Sequence, residues 1–183
     1  MPGMPGMPGM RSVLVCLTLC AGASALSAQY ARARAWPPGF PTQVALDTVG
    51  LPVQIAASAG TTYRAVIAAF DEMKIPLDIK DSISGLVGNS KIVQAHSLAG
   101  SQMSRWFNCG TGMTGPNADT FRLYIAVAAL LDKVTADTTR LRIGMVAGSQ
   151  DMGGNSKEPV ACATTGNLEE KLVELIRARV SKP

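Results

Sequence analysis

The chain has 183 residues, with 47% hydrophobic and 16% charged side chains. That is enough apolar material for one packed domain and excludes global disorder. The formal charge of +4, from 17 Lys and Arg against 13 Asp and Glu, is small and scattered. It gives no basic stripe of the kind that binds nucleic acid.

Residues 1–28 read as start-site and leader material. Met1 to Met10 repeat Met-Pro-Gly, which cannot bury a face, and Met10 is the better initiator. From there Met10-Arg11 gives a positive start, Ser12 to Gly22 an apolar run, and Ala23-Ser24-Ala25 a small-residue cleavage pattern, with Ala28 as a second site. This is the pattern of a secretory signal peptide, and it is shorter than a membrane-crossing helix requires. Lipidation is disfavoured because Cys16 follows Val15 and Cys20 follows Leu19, where a small residue is needed. The expected product is exported, periplasmic or secreted, without a transmembrane segment once the signal is removed.

Residues 29–47 read as a Pro-rich tether, in which Trp36-Pro37-Pro38-Gly39-Phe40-Pro41 favours an extended path. Residues 48–183 then form a single domain. Val53, Ile55 and Ala57 alternate as a first strand, and Gly60 breaks it. Thr61 or Thr62 is placed to cap a helix whose apolar stripe is Val66, Ala69, Phe70 and Met73. Pro76 ends that segment. Leu77 to Lys80 is a short strand, Asp81 to Gly85 a turn, and Leu86 to Ile92 an extended run. His96 to Cys109 suggests a further strand interrupted at Gly100, and Gly110 to Asp119 a loop. Phe121, Leu123, Ile125, Val127 and Ala129 alternate, as do Leu141, Ile143, Met145 and Ala147, so two long strands flank the turn Thr135 to Thr138. A loop from Gly148 to Glu158 leads to an extended piece around Cys162. A final helix is capped at Asn167, with Glu170 completing a capping box. Leu168, Leu172, Leu175 and Ile176 form its buried stripe, and Arg177, Arg179 and Lys182 lie near its end. The order β-α-β-β-β-β-β-α predicts an α+β fold, with an antiparallel sheet of about five strands and two helices on one face.

Two cysteines remain after the leader, Cys109 and Cys162. In an exported chain the pair is expected to form a disulfide. It would close a loop of roughly 50 residues, for which the chain-entropy model gives about 4 kcal/mol. The alternatives are a metal site and a catalytic thiol. Both need partners, and His96 is the sole histidine, so no metal ligand set or cofactor is expected.

Other motifs read as structural. Gly110 to Gly115 matches G-x-G-x-x-G but lacks the helix opening at its third Gly. His96 reads as a hydrogen-bonded histidine rather than a base. The acidic pairs Asp78 with Asp81 and Asp71 with Glu72 suit a turn and a solvated helix face. Asp151 lacks calcium-loop spacing, and no G-x-S-x-G occurs. Arg122, Arg140 and Arg142 share the outer sheet face and form a candidate basic surface for acidic partners or lipid headgroups.

The run Tyr63 to Ile92 places a helix before a short strand, an Asp, a Gly and a second strand. It resembles the repeating domain of the lipoprotein C subunit of the bacterial β-barrel assembly machinery. The pattern Cys109-Gly110 with a later Cys162 before a terminal helix is also similar to that of small uncharacterised exported bacterial proteins. The resemblance implies a helix-grip-like fold in the bacterial envelope and carries no catalytic residues.

The expectation is therefore a non-enzymatic domain that contacts an envelope protein or lipid. A second expectation is a binder of a small apolar or lipid ligand. Its cavity would lie between sheet and C-terminal helix, lined by Val66, Phe70, Phe121, Ile125 and Leu172.

Overall fold

A computed structural model describes residues 33–154 and 158–181. The expected start-site repeat, the expected signal peptide and the first residues of the expected tether lie outside the described residues. In chain order the elements begin with β1 (Arg34–Ala35), β2 (Val44–Ala45), a 3-10 turn (Leu46–Thr48), β3 (Pro52–Ile55), α1 (Ala59–Glu72), β4 (Ile79–Asp81) and β5 (Leu86–Ala95). There follow β6 (Ser97–Leu98), β7 (Ser101–Gln102), a second 3-10 turn (Met103–Arg105), β8 (Phe107–Asn108), β9 (Thr111–Gly112), β10 (Gly115–Pro116) and α2 (Asn117–Thr120). The long hairpin β11 (Arg122–Lys133) and β12 (Thr139–Gln150) comes next, then β13 (Val160–Thr164) and α3 (Asn167–Val180).

The fold is α+β, as expected, but the main sheet has seven strands rather than five. Its order is β4-β5-β11-β12-β13-β8, and every pairing is antiparallel. The outer edge of β12 is shared. β3 pairs along Thr139 to Arg142, and β13 along Ala147 to Ser149. The extra width comes from β8 and β13, which meet at Ala163 opposite Asn108 beside the two cysteines. The single strand expected between His96 and Cys109 is instead the small hairpin β6-β7, a 3-10 turn and β8.

The hairpin alternates as its sequence requires, and its two faces carry two different cores. On one face Leu123, Ile125, Val127 and Ala129, with Leu141, Ile143 and Met145, pack against α1 and α3. The helices contribute Val66, Ala69 and Phe70 from α1 and Leu168, Leu172 and Ile176 from α3. Arg179 and Glu72 join the C-terminal ends of the two helices at 2.6 Å. Both helices start slightly away from the expected caps. Ser58, not Thr61 or Thr62, caps α1, its hydroxyl accepting from the Thr61 N–H at 3.3 Å. Gly60 thus lies inside the helix. α3 starts from Gly166 in the left-handed region, and Asn167 is its first residue.

The opposite face is also buried. Ala126, Ala128 and Val146 pack against Ala33, Ala35 and Leu46, with Phe40, Val44 and Val49 around them. From Ala33 on, the Pro-rich segment expected as a tether is therefore a strap lying across the sheet. It folds back on itself through β1 and β2, with Arg34 opposite Ala45 and Ala35 opposite Val44. Small residues in the hairpin make this possible. A Cβ on Gly148 would stand 1.9 Å from the Pro38 carbonyl oxygen, and one on Gly144 2.0 Å from that of Leu46. The strap backbone thus rests directly on the sheet, and the result is three layers: strap, sheet and helices.

Candidate functional site

The cysteines behave as expected. Cys109 and Cys162 form a disulfide, with Cα atoms 4.3 Å apart and a sequence separation of 53. Both are buried. The bond ties β8 to β13 immediately before α3. The same junction is stitched by hydrogen bonds to one backbone carbonyl. The Arg105 oxygen accepts from the Thr165 hydroxyl at 2.7 Å and from the Asn167 side-chain amide at 3.0 Å. The Arg105 guanidinium stacks over the Trp106 ring at 5.0 Å. The Trp106 indole N–H donates to the Leu98 carbonyl at 2.8 Å. The start of α3 is thereby held on a rigid base.

The five side chains expected to line an internal cavity fill the core instead. Val66, Phe70 and Leu172 have 0% exposure and Ile125 has 2%. A side chain bordering a water-sized void would retain accessible surface, and these retain essentially none. Phe121 is half-buried and packs against the same core. This interface is solid where the ligand reading required it to be hollow.

The three arginines do project from the outer face, but they do not form one surface. Arg122 lies opposite Gln150 at one end of the hairpin, and Arg142 opposite Leu130 towards the other. The eight-residue offset along β11 separates them by about 27 Å. Arg140 sits opposite Asp132, so its charge has a counter-charge across the strands. Arg142 donates to the Asp47 carbonyl at 2.6 Å and so serves to fasten the strap.

His96 is exposed, and its Nδ1 lies 2.8 Å from the Asp119 carbonyl oxygen. The Asp119 carboxylate accepts from the Ser104 backbone N–H at 2.8 Å. Serine, histidine and aspartate thus meet, but not as a catalytic relay. The histidine contacts a backbone carbonyl rather than the carboxylate, and Ser104 engages through its amide rather than its hydroxyl. These contacts pin the excursion between β5 and β11. The glycine-rich run Gly110 to Gly115 is the β9-β10 hairpin, and the short α2 opens at Asn117 rather than at its third Gly. Among the described residues there is no group of three or more His, Cys, Asp or Glu able to hold a metal ion. No described helix is long and apolar enough to cross a membrane.

The surface with most to offer a partner is a groove of about 1000 Å³ beside α3. One wall is the outward flank of α3: the half-buried Glu169 and Val173 with the exposed Glu170, Glu174 and Arg177. These positions recur at three- and four-residue intervals and therefore share one face of the helix. The other wall is the end of the strap and the start of β3, Gly50, Leu51 and Val53, and Ile143 of β12 contributes to the floor. Leu51 is 85% exposed at its rim. Arg105, Thr164 and Gly166 close the end nearest the disulfide. The groove thus has an apolar centre (Leu51, Val53, Ile143, Val173), with Glu169 and Glu170 at the start of α3, the paired Lys171 and Glu174 midway, and Arg177 towards its end. One Glu169 carboxylate oxygen is buried with no hydrogen-bond donor among the described residues.

Sequence reasoning missed this site because its walls are more than 100 residues apart in the chain. The visible signal was the stripe Glu169, Val173, Arg177, an apolar residue between opposite charges on the solvent side of an amphipathic helix. No protein-family model, curated protein or solved structure matches the chain.

Proposed function

We propose that the chain is an exported, non-enzymatic interaction domain of the bacterial envelope that receives a polypeptide partner in the groove beside α3. The observation that carries this reading is the groove itself: an apolar centre open to solvent, bounded by charge, with Leu51 85% exposed at its rim. Apolar contact surrounded by a polar rim is the usual anatomy of a protein interface. The buried disulfide supports export, since such bonds persist in oxidising compartments. The leader-like sequence at residues 10–28 supports it as well. Two helices packed against one face of an antiparallel sheet suit a scaffold that presents a rigid surface.

The test is a photo-reactive amino acid placed at Leu51 in the full chain expressed in a bacterial periplasm. The expected result is a discrete polypeptide adduct that disappears when Val173→Arg is added. Labelling no stronger than from the same probe at Asp137, exposed in the β11-β12 turn, overturns the assignment of the groove.

A further inference from the structure

We infer that the polypeptide received in this groove is a second copy of the same chain, packed two-fold so that α3 lies antiparallel against α3. The inference rests on the groove being the interaction surface, and it names the occupant.

The argument is charge complementarity under a two-fold operation. In an isologous contact the same patch meets itself reversed, so residue i meets j wherever j meets i. With Val173 on the axis, a residue four positions before it faces a residue four positions after it. Glu169 then meets Arg177 of the second copy, and Arg177 meets Glu169 of the second copy. This pairing arises twice by symmetry. The centre is apolar, since Val173 is partly buried against the core and Leu51 stands beside it in the groove. An unrelated partner would not require α3 to be self-complementary about Val173, and at Glu169 and Arg177 it is. Near the middle, Lys171 and Glu174 already pair within the helix at 2.9 Å, so they present little net charge to the axis. The monomer also leaves an oxygen of Glu169 buried without a donor. Such an oxygen is costly to leave unsatisfied.

The test uses the full oxidised chain in analytical ultracentrifugation over a wide concentration range. A reversible dimer is expected. Arg177→Glu alone, or Glu169→Arg alone, should raise the dimer dissociation constant about tenfold or more, because each reversal breaks two symmetric pairs and creates repulsion. The double variant E169R/R177E restores opposite charges and should return the constant to within about threefold of the parent. Arg177 is exposed and Glu169 half-buried, so far-UV circular dichroism is used to confirm that each variant folds. As a second readout, V173C should form a covalent dimer under mild oxidation faster than D137C. A chain that stays monomeric throughout, with V173C no faster than D137C, overturns the second copy as occupant. If the Leu51 probe then still labels a different polypeptide, the groove assignment stands and only this inference fails. If it labels nothing, both fail. A dimer insensitive to both single reversals, or not rescued by the double variant, also overturns the proposed pairing.

Discussion

Replacing Gly148 by Ala tests the three-layer architecture at its tightest contact. The new Cβ would lie 1.9 Å from the Pro38 carbonyl oxygen, 2.8 Å from its carbonyl carbon and 2.9 Å from its nitrogen. All three are backbone atoms, so no side chain can swing aside, and the strap must retreat by more than 1 Å. The cost lies between two limits. Overpacking with local adjustment costs about 1–3 kcal/mol. Complete release of the strap would expose Leu46, worth about 1.5–3 kcal/mol, and the methyls of Ala33 and Ala35 at about 0.8 kcal/mol each, or about 4 kcal/mol before the partly buried Phe40, Val44 and Val49 are counted. The cheaper response wins, so Gly148→Ala should destabilise by about 2–3 kcal/mol. For a chain of this size that lowers the melting temperature by about 4–12 °C. Urea unfolding gives the free energy, and trypsin cleavage after Arg34 reports on the strap, because β1 is paired in the intact protein. Gly60→Ala is the matched control. Its nearest neighbour would be the Arg64 Nη1 at 3.9 Å, and Ala is the better helix former, so it should be neutral or stabilising by up to about 1 kcal/mol. A Gly148→Ala variant that loses less than about 0.5 kcal/mol and resists trypsin as the parent does would refute the description of the strap as a packed layer.

Removing the disulfide in the double variant Cys109→Ser, Cys162→Ser should cost about 2–5 kcal/mol, read by chemical denaturation against the oxidised parent. A parent protein whose intact mass does not rise by that of two hydrogen atoms on reduction would show that the bond is not formed. Lys74→Gly should stabilise the chain by up to about 1 kcal/mol in thermal unfolding. Lys74 holds a φ of 54° just past α1, a conformation that costs an L-residue about 1–2 kcal/mol, against the smaller entropy penalty of Gly. The surrounding turn already supplies its hydrogen bonds, since the N–H of Ile75 reaches the Phe70 carbonyl and that of Lys74 the Asp71 carbonyl, both at 2.9 Å.

The elements with a clear period were legible. Alternation from Leu123 to Ala129 and from Leu141 to Ala147 gave the central hairpin. The spacing of Val66, Ala69 and Phe70, and of Leu168, Leu172 and Ile176, gave the helices and their buried faces. The pair Cys109 and Cys162, left once the expected leader is set aside, gave the disulfide. The strap was not legible, because Pro-rich sequence with few apolar residues has the composition of a linker. Its evidence lay in the sheet. The outward positions Ala126, Ala128, Gly144, Val146 and Gly148 are small or apolar, where a solvent-facing strand would place polar side chains. The polar outward residues Arg122, Asp132, Arg140 and Gln150 lie towards the ends of the hairpin, so its apolar middle is covered on both sides, and only the strap was left to cover it. The cavity expectation failed for the complementary reason. Val66, Phe70, Ile125 and Leu172 have the residue types of a ligand pocket and of a core alike, and only packing distinguishes the two. The width of the sheet was missed because β8 has two residues, too few to show any period.

Strap and groove are parts of one continuous segment. The chain leaves the sheet's outer face at Leu46, whose carbonyl rests on Gly144. Arg142 fastens the next residue, Asp47, through its carbonyl. Four residues later the chain forms the groove wall at Leu51 and enters β3 against Arg142. The opposite wall, α3, is held by core packing and by the Arg105 junction beside the disulfide. One wall is therefore fixed by a covalent staple and a buried helix face, and the other by a backbone lying on glycines. The strap wall has fewer buried side chains to hold it, so it is the side that can open locally at lower free energy. Any occupant that binds Leu51 in its folded position must favour the closed strap by the same free energy with which the closed strap favours the occupant. The small outward residues of the hairpin thus do more than admit a covering layer: they set the position of Leu51 opposite Val173.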